Sequence, residues 1–201
     1  MTASAQPTIT PTPMQATMQK VPLDHDLIAC GGRGSGKSFG GELVVARDST
    51  VLKEKLNCLI VHRSYAGLPE LSNSLSRTLS ATYGQVLSFN KSDWTLRLPT
   101  GGVIELAYLD PSRPQAMLRQ QGRSRTTIWV DEGGQYSDPD RLDQLRATLR
   151  APQGTPMRMI FTANPGQQGH ACIRQRWVQT AGFPAPGQPV RFFCEDTASS
   201  T

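Results

Sequence analysis

The chain has 201 residues, enough for one α/β domain with a full core and room for a small appendage, and with 37% hydrophobic and 18% charged residues most of it should fold. Its net charge of +5 is compatible with an acidic partner such as nucleic acid, but mild basicity is also common on protein surfaces. No apolar run is long enough to cross a membrane and no basic segment precedes an apolar core at the N-terminus, so neither a membrane span nor a signal peptide is expected.

The cysteines and histidines are too scattered to predict a metal site or a catalytic triad. No two cysteines form a C-x-x-C pair, so the spacing argues against a zinc site. Buried thiols in a reducing compartment are the better interpretation. The four positions are Cys30, Cys58, Cys172 and Cys194.

The first elements of the chain lead up to a glycine-rich stretch. Residues 1–13 are uncharged and rich in Thr, Ala, Ser and Pro, so we expect a disordered lead-in. Thr12-Pro13-Met14-Gln15 opens a short helix through Gln19. The apolar run Leu27–Cys30 then predicts a buried strand, and Phe39, Leu43 and Ala46 follow at helical spacing.

Between that strand and that helix stands the pattern G-x-x-x-x-G-K-S, which is typical of a phosphate-binding loop. Its glycines let successive backbone N–H groups turn inward around an anion, and the helix N-terminus adds partial positive charge. The lysine can reach the β- and γ-phosphates of a nucleotide, and the serine hydroxyl can ligate Mg²⁺. The eight residues are Gly31, Gly32, Arg33, Gly34, Ser35, Gly36, Lys37 and Ser38.

The middle of the chain changes its hydrophobic period. Asn57–His62 predicts a second buried strand, and four leucines at helical spacing from Leu68 to Leu79 predict an amphipathic helix. The period then becomes two, which predicts an antiparallel ribbon added to the edge of the sheet. Its three short strands would be Val86–Phe89, Trp94–Leu98 and Val103–Tyr108.

The last part returns to alternating strands and helices. Strands are predicted at Thr126–Val130, Met157–Phe161 and Val190–Cys194. Ser137-Asp138-Pro139 is typical of a helix start, and Leu142, Leu145 and Leu149 would form its inner face. Ile173 and Trp177 indicate a further helix.

Two strands end in polar residues that suit nucleotide hydrolysis. Asp131 and Glu132 follow the first, so Asp131 would hold Mg²⁺ and Glu132 would orient the attacking water, because parallel strands deliver their carboxyl ends to one crevice. A solvated acidic pair at a strand end is the alternative. Asn164 follows the next strand and could sense the γ-phosphate, or could simply be a turn residue before a proline. Gln15 could read an adenine edge with its amide, or be a surface glutamine.

These motifs together carry a resemblance to a known family. The chain resembles the ATPase domain of the large terminase subunit of tailed bacteriophages, the motor that packages DNA into proheads. The resemblance covers residues 12–180 and depends on four motifs in the same order. They are Thr12-Pro13-Met14-Gln15, Gly31 to Ser38, Val130-Asp131-Glu132, and Thr162-Ala163-Asn164-Pro165-Gly166 with the following Gly169-His170.

The resemblance implies an ASCE-type, RecA-like P-loop fold: a central, mostly parallel sheet flanked by helices, with an antiparallel edge ribbon. It implies ATP and Mg²⁺ as cofactors, with Gln15 on adenine, Lys37 and Ser38 on phosphates and metal, Asp131 on the metal and Glu132 on the water. Asn164 would lie in the coupling motif, and Arg33 would respond to the γ-phosphate. Implied partners are double-stranded DNA, a homo-oligomeric ring, a portal protein and a small terminase subunit, without a membrane, in the host cytoplasm and not in the mature virion.

Two departures accompany the resemblance. Large terminase subunits continue into an RNase H-like nuclease domain, whereas here we expect a lead-in over 1–13, an ATPase domain over 14–195, a tail over 196–201 and no nuclease domain. Gly133 and Gly134 follow Glu132 where an alanine-like residue is common, and two flexible residues would loosen the hold on Glu132. A nucleotide-binding remnant or assembly module without turnover stays open as an alternative. A small-molecule kinase is disfavoured by Glu132 and Asn164.

An arginine cluster precedes the Asp131 strand. Ring ATPases gain rate from a guanidinium supplied by a neighbouring subunit, and Arg119 and Arg123 are the leading candidates for this role. Arg125 lies almost inside the strand. A solvated basic loop or a contact to DNA phosphates is the alternative for each single arginine.

Overall fold

The computed structural model describes residues 10–109, 122–136, 138–167, 169 and the backbone of 191–194. Helices are α1 (Pro13–Gln19), α2 (Lys37–Leu52), α3 (Leu68–Tyr83) and α4 (Pro139–Arg146), with short 3₁₀ turns at Lys53–Lys55, Tyr65–Gly67 and Gly133–Gln135. Strands are β1 (Leu27–Cys30), β2 (Asn57–His62), β3 (Thr95–Arg97), β4 (Val103–Tyr108), β5 (Thr127–Val130), β6 (Arg158–Ala163) and β7 (Arg191–Cys194).

The described strands form one sheet in the order β3-β4-β2-β5-β6-β1-β7. Every neighbouring pair is parallel except β3 with β4. Strand β6 therefore separates β1 from β5, and the carboxyl ends of all three strands lie at one edge of the sheet. This order is the one feature of the fold on which the site depends.

Helices cover both faces of the sheet, as parallel strands require. One face packs against α1, α2 and α3, where the leucine stripe from Leu68 to Leu79 is buried as predicted. The other face packs against α4 through Leu142 and Leu145. Leu149, predicted on the same inner face, follows the end of α4 and pairs with Arg125 in an isolated bridge.

The predicted edge ribbon is present, but it has two strands and not three. Val86–Phe89 is not a strand: Val86 is 94% exposed, and the Leu87 N–H donates to Ser80 Oγ at 2.9 Å. That backbone donor is therefore satisfied by a side chain of α3, and only Asn90 pairs with Thr95 in an isolated bridge. The prediction failed because a segment that alternates in polarity can also run along the end of a helix and hydrogen-bond to it, without pairing with a strand.

Helix α1 begins at Pro13, so it takes in the last residue of the predicted lead-in. Thr12 is its N-cap, and with Gln15 it forms a capping box. The Gln15 amide nitrogen also donates to the Gly36 carbonyl at 3.0 Å, which ties α1 to the glycine-rich loop. Residues 1–9 and the predicted helix at Ile173 and Trp177 lie outside the described residues.

A buried ion network fixes α2 against β6. Arg158 donates through two nitrogens to Asp48 Oδ2, and Arg47 Nη2 donates to Asp48 Oδ1 at 2.7 Å. Asp48 and Arg158 are 0% and 1% exposed. Burial lowers the pKa of Arg158, while the charge of Asp48 opposes that shift. Arg47 and Arg158 also donate to the Val21 carbonyl, so the network holds the segment between α1 and β1.

We expect Asp48→Asn to lower the free energy of unfolding by about 3–5 kcal/mol, because it leaves the Arg158 charge buried without its carboxylate. Urea denaturation of the full chain measures the loss. The matched control is Asp93→Asn at an exposed turn, for which a change within about 0.5 kcal/mol is expected. Equal stabilities of the two variants would contradict a structural role for the network.

Candidate functional site

The glycine-rich loop joins β1 to α2 at the carboxyl edge of the sheet. Gly34 and Gly36 both have a φ of 79°, a conformation that favours glycine. A Cβ at Gly36 would also lie 2.6 Å from the Gln15 amide nitrogen, so both the backbone conformation and the close contact exclude larger residues at this position. The Gly31 N–H donates to the Ala163 carbonyl at 3.3 Å, which anchors the start of the loop to the end of β6.

Lys37 folds back over the loop that precedes it. Its ammonium group donates to the carbonyls of Gly31 and Gly32 at 2.8 and 2.6 Å and to Ser35 Oγ at 2.9 Å. Ser35 Oγ in turn donates to the Gly32 carbonyl at 3.0 Å. The lysine is 7% exposed, and its charge is thus held inside the concave side of the loop.

Ser38 and Asp131 meet across the sheet, as the motifs predict. Ser38 Oγ donates to Asp131 Oδ1 at 2.8 Å, although 93 positions separate the two residues. Thr162 Oγ1 donates to the same carboxylate oxygen at 2.6 Å. Thr162 belongs to β6, which lies between β1 and β5 in the sheet. It was not identified as a site residue from the sequence. Only its place in the Thr162-Ala163-Asn164 strand end could have drawn attention to it.

Glu132 has a constrained backbone and an oriented side chain. Its φ is 53°, which is uncommon for a residue other than glycine and typical of strained functional positions. Gln135 Nε2 donates to Glu132 Oε2, and Arg63 Nη1 donates to Gln135 Oε1 at 2.7 Å. His62 Nε2 lies 3.9 Å from Glu132 Oε2. The carboxylate therefore lies near His62 at the end of β2, and Gln135 links it to Arg63.

The two glycines after Glu132 are closely packed. Gly133 and Gly134 are buried, and a Cβ at Gly134 would lie 2.9 Å from the Asn164 carbonyl and 2.5 Å from Gln167 Oε1. The Gly169 N–H donates to the Gly134 carbonyl at 2.7 Å. The loop after β6 packs directly on this turn, which argues against a loose Glu132; how firmly the residue is held stays a prediction.

A cleft of about 400 Å³ brings these residues together. It is lined by residues of the glycine-rich loop and by the ends of β5 and β6: Arg33, Gly34, Gly36, Lys37, Ser38, Phe39, Asp131, Glu132, Thr162, Ala163 and Asn164. Asn164 thus lies beside Glu132, as expected for neighbouring strands. Arg33 is exposed on the rim of the cleft.

Gln15 lies behind the loop and does not line the cleft. It is 4% exposed, and its amide oxygen accepts from the Thr12 N–H at 2.9 Å while its amide nitrogen holds Gly36. An amide has a second lone pair and a second hydrogen, so these bonds leave half of its capacity for adenine. Its role as an adenine reader stays a prediction.

Of the arginine cluster, Arg123 and Arg125 are described, and they precede β5 at the opposite, amino-terminal edge of the sheet. Arg125 is 2% exposed, and it donates to Glu105 Oε2 and to Asn57 Oδ1, both at 2.7 Å. Arg123 also pairs with Glu105, and its side chain is 53% exposed. Arg119 lies outside the described residues. Arg123 and Arg119 stay predictions as arginines that act on a neighbouring subunit.

The described part of the chain holds no cluster of metal-ligating side chains. Within it, no group of three or more His, Cys, Asp or Glu residues is arranged to hold a metal ion. No helix among the same residues is long and apolar enough to span a membrane. Cys58 is a buried free thiol, and burial raises its pKa.

Glu42 is a buried carboxyl group one helical turn after Ser38. Thr78 Oγ1 donates to its Oε2 at 2.9 Å, and it is 3% exposed. Burial raises its pKa above the ordinary value of 4.5, with a smaller contribution from the charge of Asp131. The folded chain therefore binds this proton more tightly than the unfolded chain does.

It follows that the stability contributed by Glu42 is complete below about pH 4.5 and is lost as the pH rises through its raised pKa. We expect Glu42→Gln to equal the parent chain in stability at low pH and to exceed it by a growing margin toward pH 7. Urea denaturation across that range tests this, with the exposed Glu70→Gln as control. A difference that does not change with pH would contradict the assignment.

Comparison with known proteins identifies the fold. No protein-family model matches the sequence, and no curated protein matches it. Solved structures do match. A large terminase from a thermophilic bacteriophage superposes with a TM-score of 0.63 at 14% identity, over 85% of this chain and 42% of that protein.

Two further structures agree. The large terminase ATPase domain of Thermus phage P74-26 gives a TM-score of 0.58 at 14% identity, over 78% of this chain and 66% of that domain. The bacteriophage HK97 large terminase gives 0.57 at 15% identity, over 86% of this chain and 37% of that protein. This chain therefore spans less than half of the first of these proteins and of the HK97 protein.

The molecule thus has the RecA-like P-loop fold, with a mostly parallel sheet between layers of helices. Among proteins of that class, it has the fold of the phage large terminase ATPase domains. The fold class predicted from the sequence is confirmed, including the antiparallel edge of the sheet.

Proposed function

We propose that this chain is the ATP-hydrolysing motor domain of a phage large terminase subunit, which drives double-stranded DNA into a prohead. The observation that carries the proposal is the convergence of Lys37, Ser38, Asp131, Glu132 and Asn164 on one cleft at the carboxyl edge of the sheet. The large terminase of the thermophilic bacteriophage, a structure with the same fold, forms complexes with ADP and with ATP-γ-S.

The loop and Lys37 are suited to hold the nucleotide phosphates. The Lys37 ammonium donates to two carbonyls and one hydroxyl of the loop, and phosphate oxygens are stronger acceptors that can replace them. The N-terminus of α2 begins at Lys37 and adds its partial positive charge. Binding would thus exchange bonds within the loop for bonds to the substrate.

Ser38 and Asp131 fit a magnesium ion. Hydroxyl and carboxylate oxygens are ligands that Mg²⁺ accepts, and it is commonly bound by one or two protein groups plus substrate phosphates and waters. The 2.8 Å bond between Ser38 Oγ and Asp131 Oδ1 brings these two oxygens together. When bound, Mg²⁺ supplies charge neutralisation at the β- and γ-phosphate oxygens.

Glu132 would orient and polarise the attacking water. Its carboxylate is a proton acceptor at the edge of the cleft, and its side chain is 38% exposed, so water reaches it. Asn164 lies on the neighbouring strand end and would sense the γ-phosphate. Because the Asn164 loop packs on Gly134, a movement of one loop would reach the other.

The remaining assignments complete the proposal. Arg33 on the rim would respond to the γ-phosphate, Gln15 would contact adenine, and Arg123 or Arg119 would act on a neighbouring subunit of a homo-oligomeric ring. The further partners are duplex DNA, a portal protein and a small terminase subunit in the host cytoplasm. A nucleotide-binding module without turnover would use the same cleft and is distinguished by experiment.

The test is phosphate release by the full chain, with and without duplex DNA. We expect ATP turnover that Lys37→Ala abolishes, because this variant removes the charge on the β- and γ-phosphates. Duplex DNA should stimulate the parent, and the stimulation should fall between about 50 and 200 mM salt as phosphate contacts weaken.

Three results would point elsewhere. Nucleotide binding without any turnover, even with DNA, would favour the assembly module. Phosphate transfer that requires a small-molecule acceptor would favour a kinase. Normal turnover by Lys37→Ala would refute the phosphate-binding role of the loop.

We expect Glu132→Gln to bind ATP like the parent and to lose turnover by about 100-fold or more, because an amide cannot act as a base. Nucleotide titration and single-turnover kinetics separate these two effects. The matched control is Glu70→Gln, an exposed glutamate on α3 that should leave both unchanged. Parent-like turnover by Glu132→Gln would assign the water to another residue.

A further inference from the structure

A chain of hydrogen bonds runs from the protein core to Asp131. The Trp129 indole nitrogen donates to Thr162 Oγ1 at 3.1 Å, and Thr162 Oγ1 donates to Asp131 Oδ1 at 2.6 Å. The three residues are 0%, 2% and 5% exposed. Ser38 Oγ donates to the same Oδ1 at 2.8 Å, so one carboxylate oxygen receives two hydroxyl donors.

The donor and acceptor chemistry of the three groups fixes the direction of these hydrogen bonds, from Trp129 through Thr162 to Asp131. An indole N–H can only donate, so the Thr162 oxygen must accept from Trp129. A hydroxyl has a single hydrogen, and at Thr162 this hydrogen is then directed to Asp131. These two hydroxyl bonds use Oδ1, so both donors leave Oδ2 available to a ligand.

Trp129 is itself fixed by close packing. It lies in β5 opposite Ile160 of β6, and its ring faces α2 at Gly41. A Cβ at Gly41 would lie 2.5 Å from the indole Cζ2, so only glycine admits the ring here. The indole nitrogen is thus held between α2 and the two strands that supply Asp131 and Thr162.

We propose that Thr162 and Trp129 are positioning residues that fix the Asp131 carboxylate for the metal ion that accompanies the nucleotide. The inference rests on the proposed function and assigns to it two residues beyond the loop and the Asp131-Glu132 pair. Groups that hydrogen-bond to a metal ligand orient it, and their loss commonly costs 10–100-fold in metal affinity. The predicted effect is therefore on the metal and not on the nucleotide alone.

The experiment measures Mn²⁺ binding to the full chain with ATP-γ-S by electron paramagnetic resonance, and ATP-γ-S binding in EDTA by calorimetry. Thr162→Val keeps the shape but removes the hydroxyl, and should weaken Mn²⁺ binding about 10–100-fold. Binding of ATP-γ-S in EDTA should stay like that of the parent. Thr162→Ser keeps the hydroxyl and should restore Mn²⁺ affinity to within about 3-fold of the parent.

Thr127→Val is the matched control. Thr127 is also a threonine in the core of the sheet, 1% exposed, and its hydroxyl has no hydrogen-bond partner among the residues that the structure describes. The same loss of a hydroxyl should leave Mn²⁺ affinity unchanged. Trp129→Phe removes the indole donor and should weaken Mn²⁺ binding several-fold. If Thr162→Val does not fold, this second variant tests the proposal.

The outcomes separate the two proposals. Parent-like Mn²⁺ affinity in Thr162→Val, or in Trp129→Phe where only that variant folds, would overturn this inference and leave the proposed function intact. Equal losses in Thr162→Val and Thr127→Val would also overturn it, because the effect would then be one of general packing. A parent chain that binds neither Mn²⁺ nor ATP-γ-S would refute the proposed function and this inference with it.

Discussion

The hydrogen bond between Ser38 and Asp131 is the contact on which the site depends. It joins the first turn of α2 to the end of β5, across the end of an intervening strand. Because β1, β6 and β5 are parallel, their carboxyl ends lie at one edge of the sheet, where the two side chains can meet. The same order inserts Thr162 between the two partners, so the strand that separates them also supplies a second donor to the carboxylate.

Helix α2 is held at both ends, which keeps that hydrogen bond in place. At its start, Gln15 of α1 donates to the Gly36 carbonyl. In its second half, Asp48 accepts from Arg158 of β6. Between these points, Gly40 admits Met18 and Gly41 admits Trp129 at distances that a Cβ would not tolerate. The glycine-rich loop is therefore joined to a helix that is packed and hydrogen-bonded at several points, which suits a preorganised site.

The two loops that carry Glu132 and Asn164 form one packed unit. Gly134 and Gly169 allow their backbones to meet at 2.7 Å, and larger residues would force them apart. Gln135 and Arg63 then orient the Glu132 carboxylate from the side of β2. Contacts of this kind are short-range and nearly incompressible, which suits the proposed relay between the two loops.

The sequence by itself determined the elements and the principal polar residues of the site. The octapeptide from Gly31 to Ser38, the strand end at Asp131 and the leucine stripe of α3 follow local rules of spacing and turn chemistry, so they were predictable. Val86–Phe89 was predicted wrongly because alternation alone does not show whether a backbone has a strand to pair with.

Only the tertiary structure decided the contacts between distant segments. The only local signal of Thr162 is its place in the motif at the end of β6, and Trp129 has none, because a tryptophan in a buried strand is an ordinary core residue by composition. Their roles depend on which strands are neighbours and on the direction of each hydrogen bond. The close approach at Gly134 and the burial of Glu42 depend in the same way on the segments that pack against them. Those segments are distant in sequence, so no short stretch of the sequence predicts either feature.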